Sequence, residues 1–345
     1  MFDEVITKIL ESIDKKTVSV GIYPKFSGKG YQAHKIDVKN FHGIRKTSLG
    51  KRIAFVDGGN AEIIGSANFS LNLIRVCYVI YQNNKKIASK KFEILAFVKT
   101  TNEENEIHYR TEFFGLNNGM KMDELSFSSL DNTIMHGVNR AEISSVANAA
   151  RRFAELRMAR LVADSRLADI ILLDGNLQCT LTNESKYMDE LYNSCASNNT
   201  TLCALSKTSS LFADNGDLLS AVLSRLSSLS SWFYHPIADI ASPGHRADIH
   251  FVKFNDKSNH VFRLEIFNMQ KEMAEQAISE IAPNCRDPVF LGYPYGLVEA
   301  DRIARISNQE KESLKTMLLV KLSSRNIGKY LNASNAHEIL DKISF

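Results

Sequence analysis

Apolar residues recur along this chain with two different periods, and the order in which the periods alternate carries its first structural information. An acidic start, Met1-Phe2-Asp3-Glu4, leads into Val5, Ile6, Ile9, Leu10 and Ile13, a stripe at helical spacing that predicts a short helix over 3–14. After a loop-rich basic segment, Arg52-Ile53-Ala54-Phe55-Val56-Asp57 reads as an apolar strand ending at Asp57-Gly58-Gly59. Two further strands, 69–81 and 86–98, are joined by Gln82-Asn83-Asn84-Lys85, a composition suited to a hairpin turn. Together these predict three consecutive antiparallel strands. A long helix follows over 139–163, with Val146, Ala149, Phe153, Leu156 and Leu161 among its apolar positions. The apolar strand Asp169-Ile170-Ile171-Leu172-Leu173-Asp174 comes next.

Helix 184–196, strand 201–206 and helix 216–232 continue a β/α alternation of the kind that builds parallel pairings covered by helices. A three-stranded meander followed by helix, strand, helix, strand is the ribonuclease H-like order. The predicted fold class is therefore α/β, a mixed sheet flanked by helices, with an additional C-terminal hairpin (249–255 and 260–267) and helices at 296–306, 308–324 and 335–343. No internal repeat or low-complexity linker divides the chain, although Ser-rich patches occur at 206–210 and 224–231. The 345 residues read as one domain: an N-terminal helix and basic loop region over 1–45, a core over 46–310 and C-terminal helices over 311–345.

Composition narrows the class. Apolar residues make up 44% and charged residues 23%, values of an ordinary globular protein rather than a disordered one. Lys and Arg number 42 against 39 Asp and Glu, so any nucleic-acid footprint has to be local. Basic clusters at Arg45-Lys46, Lys51-Arg52, Lys85-Lys86, Lys90-Lys91 and Arg151-Arg152 could supply it, although any single cluster reads more readily as solvated surface charge. Cys77, Cys179, Cys195, Cys203 and Cys285 are odd in number and contain no C-x-x-C pair, which signals neither a disulfide framework nor a zinc site. With an acidic N-terminus unlike a secretory signal and no apolar run of membrane-spanning length, the sequence reads as cytoplasmic and not membrane-bound.

Candidate chemistry lies in the carboxylates. Asp57 and Asp174 each close an apolar strand and are each followed by glycine. Asp-Gly is a common turn dipeptide, but two of them after neighbouring core strands would open onto the crevice where α/β sheets place ligands. Two close carboxylates call for a cation between them, and oxygen-only ligands suit Mg²⁺ or Mn²⁺. Glu155, on the helix before Asp174, is the candidate third ligand; a salt-bridged solvated face among Arg151, Arg152 and Arg157 is the competing reading, and Glu142 competes for the same role. Further on, Gly292-Tyr293-Pro294-Tyr295 is a rigid aromatic turn entering a helix that carries Asp301. Its rings either close the core or stack on unpaired bases.

Phe55-Val56-Asp57-Gly58-Gly59, Ile170-Ile171-Leu172-Leu173-Asp174-Gly175, Leu205-Ser206-Lys207, and Gly292-Tyr293-Pro294-Tyr295 followed by Leu297-Val298-Glu299-Ala300 together resemble the NurA nucleases, in the same order over roughly 45–310. The resemblance implies a ribonuclease H-like fold and a ring-like homodimer. It also implies Mn²⁺-dependent (or Mg²⁺-dependent) cutting of single-stranded and duplex DNA, of single-strand endonuclease and 5′–3′ exonuclease type, with a HerA-type hexameric helicase in DNA end resection. It makes Asp57, Glu155 and Asp174 the catalytic metal ligands. Asp301 stands where the family usually presents His, and is expected to act as a fourth catalytic oxygen ligand. Lys207 and Tyr293 match positions near the scissile strand, and Tyr295, Arg151 and Arg152 complete the expected DNA contacts. The N-terminal helix is expected to pack at a dimer or HerA interface, or back on its own core. The alternative class is a non-catalytic DNA-binding or helicase-regulating subunit that keeps the fold; an RNA-directed enzyme of the same fold is a third.

Overall fold

The apolar run that starts at Ile53 does not stop at Asp57-Gly58-Gly59. In the computed structural model, which describes residues 2–16, 21–45, 50–116 and 120–322, it continues as one strand to Ser66. The main sheet has eleven strands: β1 (Phe41–Gly43), β2 (Ile53–Ser66), β3 (Phe69–Gln82), β4 (Lys85–Glu103), β5 (Glu106–Leu116), β6 (Leu125–Ser128), β7 (Ile170–Asp174), β8 (Thr201–Ser206), β9 (Trp232–Tyr234), β10 (Ala247–Lys253) and β11 (Phe262–Phe267). The helices are α1 (Phe2–Lys16), α2 (Ser145–Asp164), α3 (Glu184–Ser197), α4 (Leu219–Leu226), α5 (Ala274–Ile281), α6 (Tyr295–Ala304) and α7 (Asn308–Leu322).

Strand order across the sheet is β1-β9-β10-β11-β8-β7-β2-β3-β4-β5-β6. The β2–β7 and β7–β8 pairs are parallel, and the other pairs are antiparallel. The run β4-β3-β2-β7-β8 is the ribonuclease H-like arrangement anticipated from element order. Strands β1, β5, β6 and β9 were not. β5 carries the alternation of a half-buried strand, with Ile107, Tyr109, Thr111 and Phe113 on one face against Glu106, His108, Arg110 and Glu112 on the other, and the sequence reading missed it. Two hairpin turns of the meander, β3–β4 and β4–β5, use paired left-handed residues, Asn83-Asn84 (φ 49° and 58°) and Glu104-Asn105 (φ 50° and 67°), the geometry that matches strand twist.

Other boundaries moved as well. The helix expected over 139–163 begins only at Ser145, after turns. The helix expected over 216–232 is confined to Leu219–Leu226, because Trp232–Tyr234 forms β9 between β1 and β10. The late hairpin does not stand apart but joins the sheet through β8. The expected helix over 335–343 lies outside the described residues.

Period-two alternation divides the strands between two apolar layers. Ala54, Val56, Ile74, Val76, Ile171 and Leu173 pack with Val146, Ala150 and Phe153 of α2. Phe55, Cys77, Val79, Leu172 and Leu205 pack with Leu297, Ala300 and Ala304 of α6 and Ile278 of α5. The stripe on α1 does not fold back: Phe2, Val5, Ile6, Ile9 and Leu10 are exposed. Among the described residues no helix is long and apolar enough to cross a membrane.

Helix α6 sits unusually close to β2. A Cβ on Gly296 would fall 2.1 Å from Cδ2 of the fully buried Phe55. Gly296→Ala, which in an exposed helix would be stabilising, should therefore cost about 1–3 kcal/mol by overpacking, seen as a lowered denaturation midpoint. Gly43→Ala, where nothing lies within 4 Å of the added atom, should leave the midpoint nearly unchanged.

Candidate active site

The site forms where two parallel strands part. β2 and β7 are paired from Ile53↔Ile170 to Val56↔Leu173. β7 then ends at Asp174, whereas β2 runs on beside β3. Asp57 and Asp174 are the next residue on each strand, so they stand side by side at the fork. Asp57 is thus not at a strand end, as the sequence suggested. It is mid-strand, and it is the neighbouring strand that ends. By alternation both carboxylates face the α6 layer, in line with Phe55 and Leu172 beneath them.

Glu155 reaches the fork from the opposite layer. It projects from α2, is 5% exposed, and crosses the backbone at Gly58, where a Cβ would lie 2.8 Å from Glu155 Oε1. Gly59, one residue on, faces the other way; there a Cβ would lie 2.5 Å from the carbonyl oxygen of Ala304 at the end of α6. The paired glycines therefore admit one helix to each side of a single strand. Glu142, the competing acid, is exposed ahead of α2 and outside this group.

The chain's own cations and one hydroxyl hold most of the acids. Arg151 pairs with Glu155 and donates from Nη1 to the Gly58 carbonyl at 3.2 Å. Lys207, just past the end of β8, places Nζ 2.7 Å from Asp174 Oδ2 and 3.9 Å from Asp301 Oδ1. The hydroxyl of Tyr293 donates to Asp174 Oδ1 at 3.3 Å. Asp301 lies at the rim of the site, bound by Arg305 at 2.6 Å. Arg152 Nη1 is 3.9 Å from Glu155 Oε2, yet its Nε binds Glu184 Oε1 at 2.8 Å and its Nη2 the Asn176 carbonyl at 2.8 Å. Glu184, absent from the sequence-based set, is 1% exposed and also accepts the backbone N–H of Thr180 and Leu181. It fixes Arg152 and the loop after β7. Its only sequence signal was its place in the first turn of a helix. Tyr295 does not join the acids; it is half-buried against the apolar layer on the α6 side.

Asp57 is the exception. Its carboxylate accepts the Gly58 N–H, 2.7 Å from Oδ1, and among the described residues it has no ion pair. Burial, and then the charges of Glu155 and Asp174, push its pKa up to about 8. Burial also raises Glu155 despite Arg151 and Arg152, and raises Tyr293, whose hydroxyl therefore keeps its proton for Asp174. The Lys207 ammonium is held above its ordinary value because Asp174 outweighs the cost of its burial. As the side chains stand, no three His, Cys, Asp or Glu among the described residues close a metal shell. The donor set nevertheless fits a hard divalent cation: it consists of oxygen donors, and Asp57 lacks a counter-charge. Beside the acids a cleft of about 440 Å³ is lined by Asp57, Arg151, Glu155, Asp174, Asn148 and Gln178, among others.

The NurA domain profile matches residues 51–306. The chain belongs to the NurA family. That match takes in the acids, Lys207, Tyr293 and both glycine approaches. The NurA nuclease from Sulfolobus solfataricus has a similar structure, with TM-score 0.53 and 13% identity over 94% of this chain and 97% of that one. Endonuclease V of Ciona intestinalis in complex with inosine-containing DNA (TM-score 0.39, 12% identity, 78% of this chain and 88% of that chain) and the catalytic domain of human endonuclease V (TM-score 0.40, 11% identity, 91% and 98%) are more distant. No curated protein matches the chain significantly in sequence.

The raised pKa of Asp57 has a measurable sign. Its folded value of about 8 lies above the unfolded 3.8, so between those values the unfolded chain gives up a proton that the folded chain keeps. Stability of the metal-free protein then falls as pH rises from about 4 to about 8. Asp57→Asn should raise the metal-free melting temperature at pH 7, and the gain should vanish near pH 4. An equal gain at both pH values would show that Asp57 is not the strained acid.

Proposed function

We propose that this chain is a divalent-metal-dependent DNA nuclease, and the observation that carries the reading is the placement of Asp57, Asp174 and Glu155 around one fork in the sheet of a NurA-family chain. Asp57, Glu155 and Asp174 would hold Mn²⁺ or Mg²⁺, with Asp301 at the rim as a fourth oxygen ligand. A divalent ion bound there supplies Lewis acidity towards a phosphodiester and lowers the pKa of a water. The remaining work belongs to the chain's own groups. Lys207 and Arg151 offer cationic N–H donors to phosphate oxygens, with Arg152 braced behind them by Glu184. Tyr293, its proton retained, donates to Asp174 and keeps that carboxylate oriented.

The substrate class we assign is DNA, single-stranded and at duplex ends, cut by single-strand endonuclease and 5′–3′ exonuclease action during end resection with a HerA-type hexameric translocase. Support for the first part is family membership together with a named nuclease of the same fold. A homodimer, or contact with the translocase, would use the exposed apolar face of α1. The domain is taken as one unit over 1–345. A second reading, a non-catalytic DNA-binding or helicase-regulating subunit, draws on the ion pairs by which Lys207 and Arg151 already neutralise two of the three acids.

Digestion of labelled single-stranded and duplex DNA separates the two. With Mn²⁺ the wild-type chain should cut, and with EDTA it should not. Asp57→Ala or Asp174→Ala should lower the rate by about 10³-fold or more, as loss of a metal ligand does, with circular dichroism unchanged. Wild-type binding to DNA without Mn²⁺-dependent cutting would select the non-catalytic reading, and near-normal cutting by either mutant would remove the assignment of the site.

A further inference from the structure

We propose that Lys207 is an internal counter-ion that occupies the Asp174 end of the acidic site in the metal-free chain and competes with the divalent cation for it. The inference deepens the nuclease reading and depends on the same acids. Its basis is geometric. Nζ lies 2.7 Å from Asp174 Oδ2 and 3.9 Å from Asp301 Oδ1, so a single ammonium faces two of the four candidate ligands. The side chain passes over the ring of Tyr293, 5.8 Å from Nζ to the centroid, and the Tyr293 hydroxyl engages the other oxygen of Asp174. Both oxygens of that carboxylate are therefore committed without a metal.

On the α2 side Arg151 plays the equivalent part for Glu155. Asp57 alone of the four has no ion pair among the described residues, the Lys207 charge reaching it only from a distance. The site is thus neutralised at its two ends and unneutralised in its middle. A divalent ion that binds Asp57 has to displace an ammonium to take Asp174 as well. The dication brings one positive charge more than the ammonium it displaces, and the Asp57 carboxylate, which has no ion pair among the described residues, is the group that meets the surplus. Freed from Asp174, Lys207 remains half-exposed at the mouth of the site, where an anionic phosphate is the available partner.

The arrangement separates Lys207 from a simple phosphate contact. A phosphate contact would leave metal affinity untouched, and a structural ion pair would leave it untouched or lower it when removed. Competition raises it. Mn²⁺ binding to the metal-free protein is measured by isothermal titration at fixed pH for wild type, Lys207→Met and Lys207→Arg, together with melting temperature with and without Mn²⁺. Lys207→Met should bind Mn²⁺ about tenfold more tightly, as expected for removing one opposing charge. It should also melt lower than wild type when metal-free and draw level at saturating Mn²⁺. Lys207→Arg, which keeps the charge, should restore wild-type affinity and metal-free stability.

Should Lys207→Met not fold, the wild type supplies a second measurement. After reductive ¹³C-methylation of lysines, the Lys207 resonance should shift on addition of Mg²⁺, a diamagnetic ion. An unshifted resonance, or a Lys207→Met affinity equal to or weaker than wild type, overturns the proposal. If the wild type cuts DNA with Mn²⁺ while either of those results is obtained, only this inference falls. If the wild type neither binds Mn²⁺ nor cuts, the nuclease reading falls with it.

Discussion

Mutual repulsion between carboxylates at one break in a β-ladder is the constraint to which the rest of the molecule answers. β2 and β7 run in parallel for four residue pairs and then separate, and each presents an aspartate at the point of separation. Water at full dielectric would make that placement inexpensive. Here Asp57 is 6% exposed and Glu155 5%, so the charges are felt at short range and low dielectric. A fold built to maximise its own stability would not gather them. The sheet is nevertheless large enough, with two continuous apolar layers, to tolerate a locally unfavourable patch.

The backbone around the fork is shaped so that the charged groups can approach. Gly58 and Gly59 face opposite layers, and a side chain at either would strike Glu155 or the end of α6. Gly296 allows the N-terminal turn of α6 to lie on Phe55, which brings Asp301 and the preceding Tyr293 up to the same edge. Glu184, buried at the start of α3, holds Arg152 and two backbone N–H groups of the loop after β7. Packing on both sides of the sheet thus converges on a few ångströms of backbone, and small residues there do what no side-chain contact could do.

How much of this was legible in the sequence varied with the range of the interaction. Strands β2, β3, β7 and β8 and helices α2 and α3 announced themselves by local period, and from their order the adjacency of Asp57 and Asp174 followed. β5 was missed although Ile107, Tyr109, Thr111 and Phe113 alternate with charged and polar residues, because that side holds a threonine and only Tyr109 and Thr111 of it are buried, a weaker apolar face than those of the central strands. The continuation of β2 past two glycines was equally hidden: glycine ordinarily ends a strand, and what licenses it here is approach from two helices distant in sequence. Glu155 could not be told from Glu142 or from a solvated salt-bridged face by spacing alone, and only the burial of α2 over Gly58 separates them. The motif that contains Tyr293 and Tyr295 was read as one unit. Yet its two rings part company, one donating to Asp174 and the other packing into the apolar layer, because a helix begins between them.

The parting of β2 from β7 also leaves a strip of main chain without a strand beside it. From Asp57 onward the β7-facing edge of β2 has no ladder partner among the described residues, and the Gly58 carbonyl turns instead to Arg151. Main-chain groups released in this way have to be satisfied by side chains or by solvent. The fork is therefore a seam in the sheet whose main-chain groups side chains have to complete, as Arg151 completes the Gly58 carbonyl, so that one arginine closes the ladder and balances Glu155 at the same time.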